Sequence, residues 1–420
     1  MKKSTRKVVL AGMIGNALEW YDFALYGHFA TILSKHFFPS EDRYVGLIAT
    51  YGIFALGFIM RPVGGIFFGY IGDKYGRRLA LAISIVMMAI PTALIGLLPT
   101  YAQIGVFAPI LLALIRLMQG VSVGGAFSGC IAFLVEHSPS NKRGLIGSIS
   151  MASLSGGMLL GSLVATLVSY YMNSADFESW GWRIPFLLGL VVGLVGVYIK
   201  VGLQESPIYK KALANNELSS RPVREIATNF LPQLTLAIGI YLTVTVPFYT
   251  LTIFIKSYMN NTLGFSHKDS LIINLISLTV VTLAMPIGAW FSDKYGRKPV
   301  LRSTTICLIV FIYPIFWLLK TSGFEAALLS QVIFAAIVGF YMGPIPALLV
   351  ELFPTRVRFT GVAVSYNLSA ALFGGTAPLV NTWLVSHMRH DSVALYIIFY
   401  AVLTLLCLKS YRETYRKALV

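Results

Sequence analysis

Long runs of apolar residues, separated by short polar stretches, constrain this chain of 420 residues more than any other feature of its sequence. Most of the runs reach the roughly 20 residues that an α-helix needs to cross a bilayer. The twelve runs span approximately residues 8–33, 44–70, 79–99, 104–135, 145–171, 182–203, 229–258, 269–291, 300–320, 325–352, 361–387 and 393–411. Only 12% of the residues are charged, about half the share in soluble domains. Because membrane β-barrels lack such runs, we predict an all-α membrane protein with twelve transmembrane helices.

The basic residues predict how these helices are oriented. Of the 33 Lys and Arg residues, 24 fall at the termini or in even-numbered connections, six, including Lys256, in odd-numbered connections or at their edges, and three within apolar runs. Cytoplasmic segments of membrane proteins carry such an excess of Lys and Arg. We therefore expect both termini in the cytoplasm and, because the connections are short, the inner membrane of a bacterium as the location. This topology accounts for the net charge of +16, so no nucleic-acid partner is expected.

A short charged sequence occurs twice and divides the chain into two halves. Residues 73–77 read DKYGR after the second apolar run, and residues 293–297 read DKYGR after the eighth. A second repeat follows the fourth and tenth runs, where Glu, Pro and Arg stand at 136, 139 and 143 and again at 351, 354 and 358. Parallel six-helix repeats are a common plan of transporters. The predicted domains are an N-terminal six-helix bundle, 1–203, a cytoplasmic central loop, 204–228, and a C-terminal six-helix bundle, 229–420.

These features resemble those of a known family of membrane transporters. The DKYGRR and DKYGRK loops are similar to the signature loop of the major facilitator superfamily. Further motifs resemble its metabolite:proton symporter branch: NALEWYDFALYG (16–27), RPVGGIFFGYIGDKYGRR (61–78), RLMQGVSVGG (116–125), GWRIPFLLG (181–189), LQESP (203–207) and FPTRVRFTG…SYNLSAALFGGTAPL (353–379). This branch includes permeases for proline and glycine betaine, α-ketoglutarate, citrate and shikimate. The resemblance covers the whole chain and implies the major facilitator fold and transport by alternating access.

The two DKYGR loops predict a cytoplasmic gate. Glycines permit close approach of helix backbones and a tight turn, while the Asp can accept hydrogen bonds from a helix N-terminus or pair with an Arg. A contact that forms in one conformation and breaks in the other suits a carrier, and the resemblance assigns this role to both loops. The alternative is that these residues only set the topology. The predicted gate residues are Gly69, Asp73, Gly76, Arg77, Arg78, Asp293, Gly296, Arg297 and Lys298.

Ionisable residues inside the apolar runs predict the coupling site. Glu19, Asp22 and Tyr26 share one face of the first helix, and Arg61 and Arg116 stand inside the second and fourth runs. Since charges within a bilayer need partners or a water-filled path, we expect Arg116 to pair with a carboxylate of the first helix. A proton that neutralises Asp22 or Glu19 would then free Arg116 for a solute carboxylate, which agrees with the proton-transfer role that the resemblance gives to this Arg. A permanent structural ion pair is the alternative.

The solute cavity is predicted from polar and aromatic residues of both halves. Aromatic faces suit a quaternary ammonium group, and Asn side chains offer donors to carboxylate oxygens, although a Tyr in a membrane protein more often serves packing. The predicted cavity residues are Tyr26, Arg61, Arg116, Tyr249, Asn274, Tyr341, Tyr366 and Asn367.

Transport energetics favour a zwitterion over an organic acid. One charge that crosses about 100 mV yields about 2.3 kcal/mol, and one pH unit adds about 1.4 kcal/mol. A zwitterion such as proline or glycine betaine that moves inward with one proton is driven by both the membrane potential and the pH gradient. A dicarboxylate with one proton moves against the potential and needs more protons, which two acids on the first helix could supply. An organic acid such as α-ketoglutarate, citrate or shikimate therefore remains the alternative.

Other classes of function are less compatible with the sequence. No HExxH or GxGD motif occurs, so an enzyme is not expected. A non-transporting receptor on a carrier scaffold is a further alternative, because a fold does not fix a function. We expect no cofactor and no metal site, a small solute, protons and the lipid bilayer as partners, and a functional monomer. Relatives commonly have Glu where this chain has Ala126, which affects the expected proton stoichiometry.

Overall fold

The protein is all-helical in the part of the chain that the structure, a computed structural model, describes. The described residues are 16–17, 19–65, 67–68, 77–124, 127, 131, 134–135, 138–201, 222–321, 323–388, 391–417 and 419. Within them, eight helices are long and apolar enough to cross a membrane, and Val86–Leu97 and Phe107–Val123 are shorter apolar helices. The predicted all-α membrane class is therefore confirmed.

Twelve helical segments, α1 to α12, follow the order of the twelve predicted runs. Two of them contain π-helical turns, at Thr250–Phe254 and Ala370–Gly374. The segments are α1 (19–28 and Ala30–Phe37), α2 (Arg43–Ile59), α3 (Arg77–Leu97), α4 (Phe107–Val123), α5 (Arg143–Tyr171), α6 (Arg183–Val201), α7 (Leu231–Tyr249 and Ile255–Asn261), α8 (His267–Tyr295), α9 (Arg297–Lys320), α10 (Phe324–Met342 and Ile345–Leu352), α11 (Thr355–Ser369 and Ala377–His387) and α12 (Ser392–Ser410).

The connections contain short helices, at Tyr101–Ile104, Ser174–Asp176, Phe177–Gly181 and Pro222–Asn229. The last of these falls within the predicted central loop, whose preceding residues lie outside the described part of the chain. Several predicted positions lie outside it as well: Gly69, Asp73, Gly76 and Ala126. Arg77 and Arg78 begin α3, and their side chains are likewise not described.

Glycines set the close packing of helix pairs in both halves. A Cβ at Gly120 of α4 would lie 2.0 Å from the carbonyl oxygen of Gly57 on α2. The equivalent pair of the second half, α8 and α10, also has a glycine at a close backbone contact: a Cβ at Gly288 would lie 2.1 Å from the Phe340 carbonyl oxygen. Only glycine permits such backbone approach, which lets helices pack tightly without a hydrophobic driving force between them.

Contacts between the halves run along α5 with α8 and along α2 with the second part of α11. At the end that carries the DKYGR repeat, the Gly144 N–H donates to Asp293 Oδ1 at 2.9 Å. At the opposite end, the hydroxyl oxygens of Tyr51 and Ser257 lie 2.6 Å apart. The halves thus touch at both ends, and the buried Asp22, Arg61 and Arg116 lie between these contacts.

Candidate functional site

A buried polar network surrounds Asp22 on α1. Arg116 Nη1 of α4 donates to Asp22 Oδ2 at 2.9 Å, which is the pairing that the sequence predicts. Gln119 Nε2 and the Thr92 hydroxyl donate to Asp22 Oδ1 at 2.8 Å and 2.7 Å. All four side chains are buried. The carboxylate therefore accepts three hydrogen bonds, so the loss of its charge would loosen contacts between α1, α3 and α4 at once.

Arg116 is held by aromatic rings as well as by Asp22. Its guanidinium carbon lies 4.5 Å from the centre of the Tyr26 ring, 4.9 Å from that of Phe23 and 5.4 Å from that of Phe54. Its Nε and Nη2 atoms have no hydrogen-bond partner among the described residues. A buried guanidinium with unused donors is costly, and it offers a carboxylate ligand two N–H groups.

A second buried guanidinium, that of Arg61, links the two halves. Arg61 Nη2 donates to the Tyr366 hydroxyl of α11 at 2.8 Å. Its guanidinium carbon lies 4.9 Å from the ring centre of Tyr366, 5.1 Å from that of Phe58 and 5.6 Å from that of Trp20. We call Trp20, Phe58 and Tyr366 the Arg61 cage. Glu19 is within electrostatic range of this guanidinium.

The structure brings some of the other predicted cavity residues to the cage and leaves others elsewhere. The Tyr249 ring lies 5.2 Å from that of Phe58 and 6.1 Å from that of Trp20, so it extends the cage on the α7 side. The Asn367 amide donates to the Gly124 carbonyl oxygen at 3.0 Å, across the seam between α11 and α4.

Two predicted cavity residues have partners outside the cage. The Asn274 amide donates to the Thr252 carbonyl oxygen at 3.2 Å, and its Oδ1 lies 3.5 Å from the Ser162 hydroxyl on α5. The Tyr341 hydroxyl donates to the Ile240 carbonyl oxygen at 2.8 Å, inside the second half. Both side chains are buried, and these backbone bonds give each of them a structural role.

Sequence reasoning missed several residues of the site. Gln119 follows Arg116 by three positions, a spacing that places both on one helical face and could have revealed it. Thr92 gave no signal, because a Thr in an apolar helix commonly bonds to its own backbone, and this hydroxyl oxygen also lies 2.8 Å from the Met88 carbonyl oxygen. Trp20 lies inside the first motif but was not singled out among many aromatic residues.

The second DKYGR loop holds the two halves together at its end of the molecule. Asp293 Oδ1 and Oδ2 accept the N–H groups of Gly144 and Leu145, in the first turn of α5, at 2.9 Å and 2.8 Å. Asp293 also pairs with Arg297 at 2.7 Å, and Arg297 in turn pairs with Glu351 at 3.2 Å. This arrangement combines the two interactions that the sequence suggests for the Asp of such a loop, and it ties α8 to the N-terminus of α5.

Two other predicted gate residues serve the second half alone. Lys298 Nζ donates to the carbonyl oxygens of Lys409 and Tyr411 at 3.1 Å and 2.7 Å, which satisfies the C-terminal end of α12. Gly296 has a φ of 103° between α8 and α9, and such a backbone favours glycine. The structure thus places Lys298 at the end of α12 and not in the contact between the halves.

Comparisons with known proteins identify the family of this chain. The sequence pattern of the Major Facilitator Superfamily matches residues 12–378. The glycine betaine/proline/ectoine/pipecolic acid transporter OusA of Dickeya dadantii is 36% identical, over 99% of this chain and 84% of the relative. The proline/betaine transporter of Escherichia coli (strain K12) is 35% identical over 99% of this chain and 85% of its own.

Solved structures share the same fold. A D-xylose-proton symporter has a TM-score of 0.76 and 21% identity, covering 99% of this chain and 100% of that one. A structure of the proton:xylose symporter XylE with 6-bromo-6-deoxy-D-glucose has a TM-score of 0.78 and 19% identity, covering 99% and 98%. At this identity the likeness concerns the fold alone. The family pattern and the relatives establish that this chain is a multi-pass membrane transporter that belongs to the major facilitator superfamily.

Proposed function

We propose that this protein is a proton-coupled symporter that imports a zwitterion such as proline or glycine betaine. The observation that carries the proposal is the buried network of Asp22, Arg116, Gln119 and Thr92 beside the Arg61 cage. It combines a carboxyl group that can take a proton, a guanidinium that can take a carboxylate, and aromatic rings that can take a cation. The relatives named for proline and betaine support the same class of solute.

In the proposed cycle, protonation of Asp22 from outside releases Arg116. The neutral acid still accepts hydrogen bonds from Gln119 and Thr92, but it no longer balances the guanidinium charge. Arg116 then binds the carboxylate of the solute through Nε and Nη2, which have no hydrogen-bond partner among the described residues. Loss of the proton on the inner side restores the ion pair and expels the carboxylate. The inside-negative potential and the pH gradient both drive this inward step.

The cation of the solute would bind in the Arg61 cage. Cation–π attraction is strongest with Trp and strengthens when the ion is desolvated, and the cage offers Trp20 with Phe58 and Tyr366 around a buried cation. A solute ammonium group would replace the Arg61 guanidinium there. Because the cage contains residues of both halves, a bound solute would contact both halves while they move relative to each other during transport.

The proposed topology has six helices in each half, residues 1–203 and 229–420, and both termini in the cytoplasm. The excess of basic residues at the DKYGR end supports this orientation in a bacterial inner membrane. The DKYGR contacts then form the cytoplasmic gate, and the opposite end faces outside. The protein would act as a monomer, without cofactor and without nucleic-acid partner.

An organic acid is the second candidate solute. The specific observation that favours it is the presence of two buried guanidinium groups, Arg61 and Arg116, one on each of two neighbouring helices. A dicarboxylate could bind both, with protons taken up by Asp22 and Glu19. Glycine betaine has only one carboxylate. A dicarboxylate would therefore use both arginines as ligands, whereas glycine betaine would use one.

Uptake into proteoliposomes tests the proposal. Purified protein is reconstituted, a pH gradient and an inside-negative potential are imposed, and accumulation of labelled proline, glycine betaine, α-ketoglutarate, citrate and shikimate is measured. We expect accumulation of a zwitterion; accumulation of an acid alone would favour the second candidate. Absence of gradient-driven uptake for every solute would favour a receptor and refute transport.

Asp22→Asn tests the coupling step. Since Asn keeps the shape of the side chain but takes no proton, we expect it to abolish uphill uptake while passive exchange of solute continues. Glu178→Gln is the matched control, because Glu178 is half-exposed and pairs with Lys35 at 2.9 Å on the surface. Uphill accumulation by the Asn variant would show that Asp22 is not the coupling acid.

A further inference from the structure

Three basic side chains meet between the halves at the end opposite the DKYGR loops. They are His28 of α1, Lys256 of α7 and His267 at the start of α8. Two aromatic rings link them: Lys256 Nζ lies 5.9 Å from the ring centre of Phe29, which follows His28, the Phe29 ring lies 5.8 Å from that of Phe177, and the Phe177 ring lies 5.1 Å from that of His267. His28 is 0% exposed and Lys256 is 1% exposed. The sequence assigns Lys256 to the edge of a connection, and the structure instead buries it inside a helix. We call these three residues the outer basic cluster.

The outer basic cluster has no acidic partner among the described residues. Both ring nitrogens of His28 and the Nε2 atom of His267 are buried without a hydrogen bond, and Lys256 Nζ has a ring, that of Phe29 at 5.9 Å, as its neighbour. Nearby Glu178 is already paired with a surface lysine. Buried polar groups are costly unless they are hydrogen-bonded, so these nitrogens leave donors that a bound anion could use.

The cluster stands on the path between the Arg61 cage and the outer end. Lys256 follows Tyr249 of the cage region by seven residues along α7, and His28 follows Asp22 by six along α1. At about 1.5 Å per residue, both lie roughly 10 Å outward of the central site. Contacts between the halves, such as the Asn261 amide donating to the Thr31 hydroxyl at 2.9 Å, lie just beyond it.

We propose that the outer basic cluster is an entry site for the carboxylate of the solute, distinct from the central site. At roughly 10 Å, a proline-sized solute cannot occupy both sites at once, so it binds them in succession. The assignment of the carboxylate to a zwitterion rests on the proposed function, whereas the anion site itself does not.

The same site couples binding to closure of the outer end. His28 belongs to the first half and Lys256 to the second, so the imidazole of one and the amino group of the other face each other across the seam when that end closes. A carboxylate between them can accept a hydrogen bond from the imidazole N–H and from the lysine, so it binds to both halves at once. The outer end therefore closes more readily behind a bound solute than over an empty site.

Lys256→Met tests the entry site by transport and by stability. We expect the KM for glycine betaine to rise about tenfold or more, the loss typical of a charge-assisted hydrogen bond, with a smaller change in maximal rate. The melting temperature of the solute-free variant should not fall, because a buried unpaired charge is removed. Lys256→Arg should restore the KM. Arg43→Met is the control, since Arg43 is an exposed basic residue of the same end.

A binding measurement separates this inference from the proposed function. Acetate is added to the purified protein and the melting temperature is followed, with chloride at the same ionic strength for comparison. We expect acetate to raise the melting temperature of the wild type and of Arg43→Met, but not that of Lys256→Met. An unchanged KM in Lys256→Met, or equal effects of chloride and acetate, would overturn the carboxylate site. An acetate effect without transport of any zwitterion would refute only the proposed function.

Discussion

Replacement of Asp293 by Asn probes the contact that closes the DKYGR end. The Asp293 carboxylate accepts two backbone N–H groups from the first turn of α5, at 2.9 Å and 2.8 Å. An Asn of the same shape has one oxygen acceptor, and its NH₂ group would face the second N–H. The variant therefore loses one hydrogen bond across the seam and the negative charge at a helix N-terminus.

The size of the effect follows from these interactions. A hydrogen bond to a charged group contributes about 1.5–3 kcal/mol, and a carboxylate near a helix N-terminus contributes about 0.3–1 kcal/mol. The pair of Asp293 with Arg297 lies within the second half and does not depend on the seam. We therefore expect closure of this end to weaken by about 3 kcal/mol, which corresponds to about a hundredfold shift towards the state open at the DKYGR end.

Cysteine labelling measures this shift. Ser155 of α5 is buried at the seam, where its hydroxyl lies 2.9 Å from that of Thr282 on α8. In a background without the three native cysteines, Ser155→Cys should react slowly with a water-soluble thiol reagent. Adding Asp293→Asn should speed this labelling by up to a hundredfold and lower the rate of active uptake. Lys294→Gln is the matched control, because this neighbouring residue is exposed.

Equal labelling rates with and without Asp293→Asn would refute the reasoning, because the seam contact would then contribute nothing to closure. Faster labelling in Lys294→Gln as well would show that a change of charge in the loop suffices. In either case the DKYGR sequence would act through the topology of the chain, the alternative that the sequence alone leaves open.

Two further predictions concern packing and the cage. Gly120→Ala should prevent tight packing of α2 against α4 and greatly reduce the yield of folded protein, whereas Gly52→Ala, with open space at its Cβ, should fold normally; equal yields would contradict the packing argument. Tyr366→Phe keeps the ring but removes the hydroxyl that accepts the hydrogen bond from Arg61 at 2.8 Å. The free energy of unfolding should therefore fall by about 1.5–3 kcal/mol. Melting curves against Tyr313→Phe, a change at an exposed tyrosine, measure this loss, and equal melting temperatures would contradict it.

The pairing of Asp22 with Arg116 shows what sequence reasoning can reach. A charge inside an apolar run needs a partner, and few carboxylates in the runs are available to balance an Arg, so this cost predicts a carboxylate of the first helix; the structure shows that it is Asp22. The same reasoning could not find Thr92, because a buried hydroxyl can also form a hydrogen bond with a backbone carbonyl of its own helix and does not require a charged partner. It also misplaced Lys256, since a lysine near the end of a run is more often at the membrane surface than buried.

The sequence by itself determined the class, the number and order of the helices, and the repeat, because apolar length and charge asymmetry are local properties of a membrane chain. Only the tertiary structure decided which faces meet, and with them the Arg61 cage, the hydrogen bonds of Asp293 to α5 and the outer basic cluster. The physical reason is that lipid is as apolar as a packed interior. Exposed Leu111 and buried Leu112 are therefore alike in sequence, and the rotation of each helix is fixed only by its neighbours.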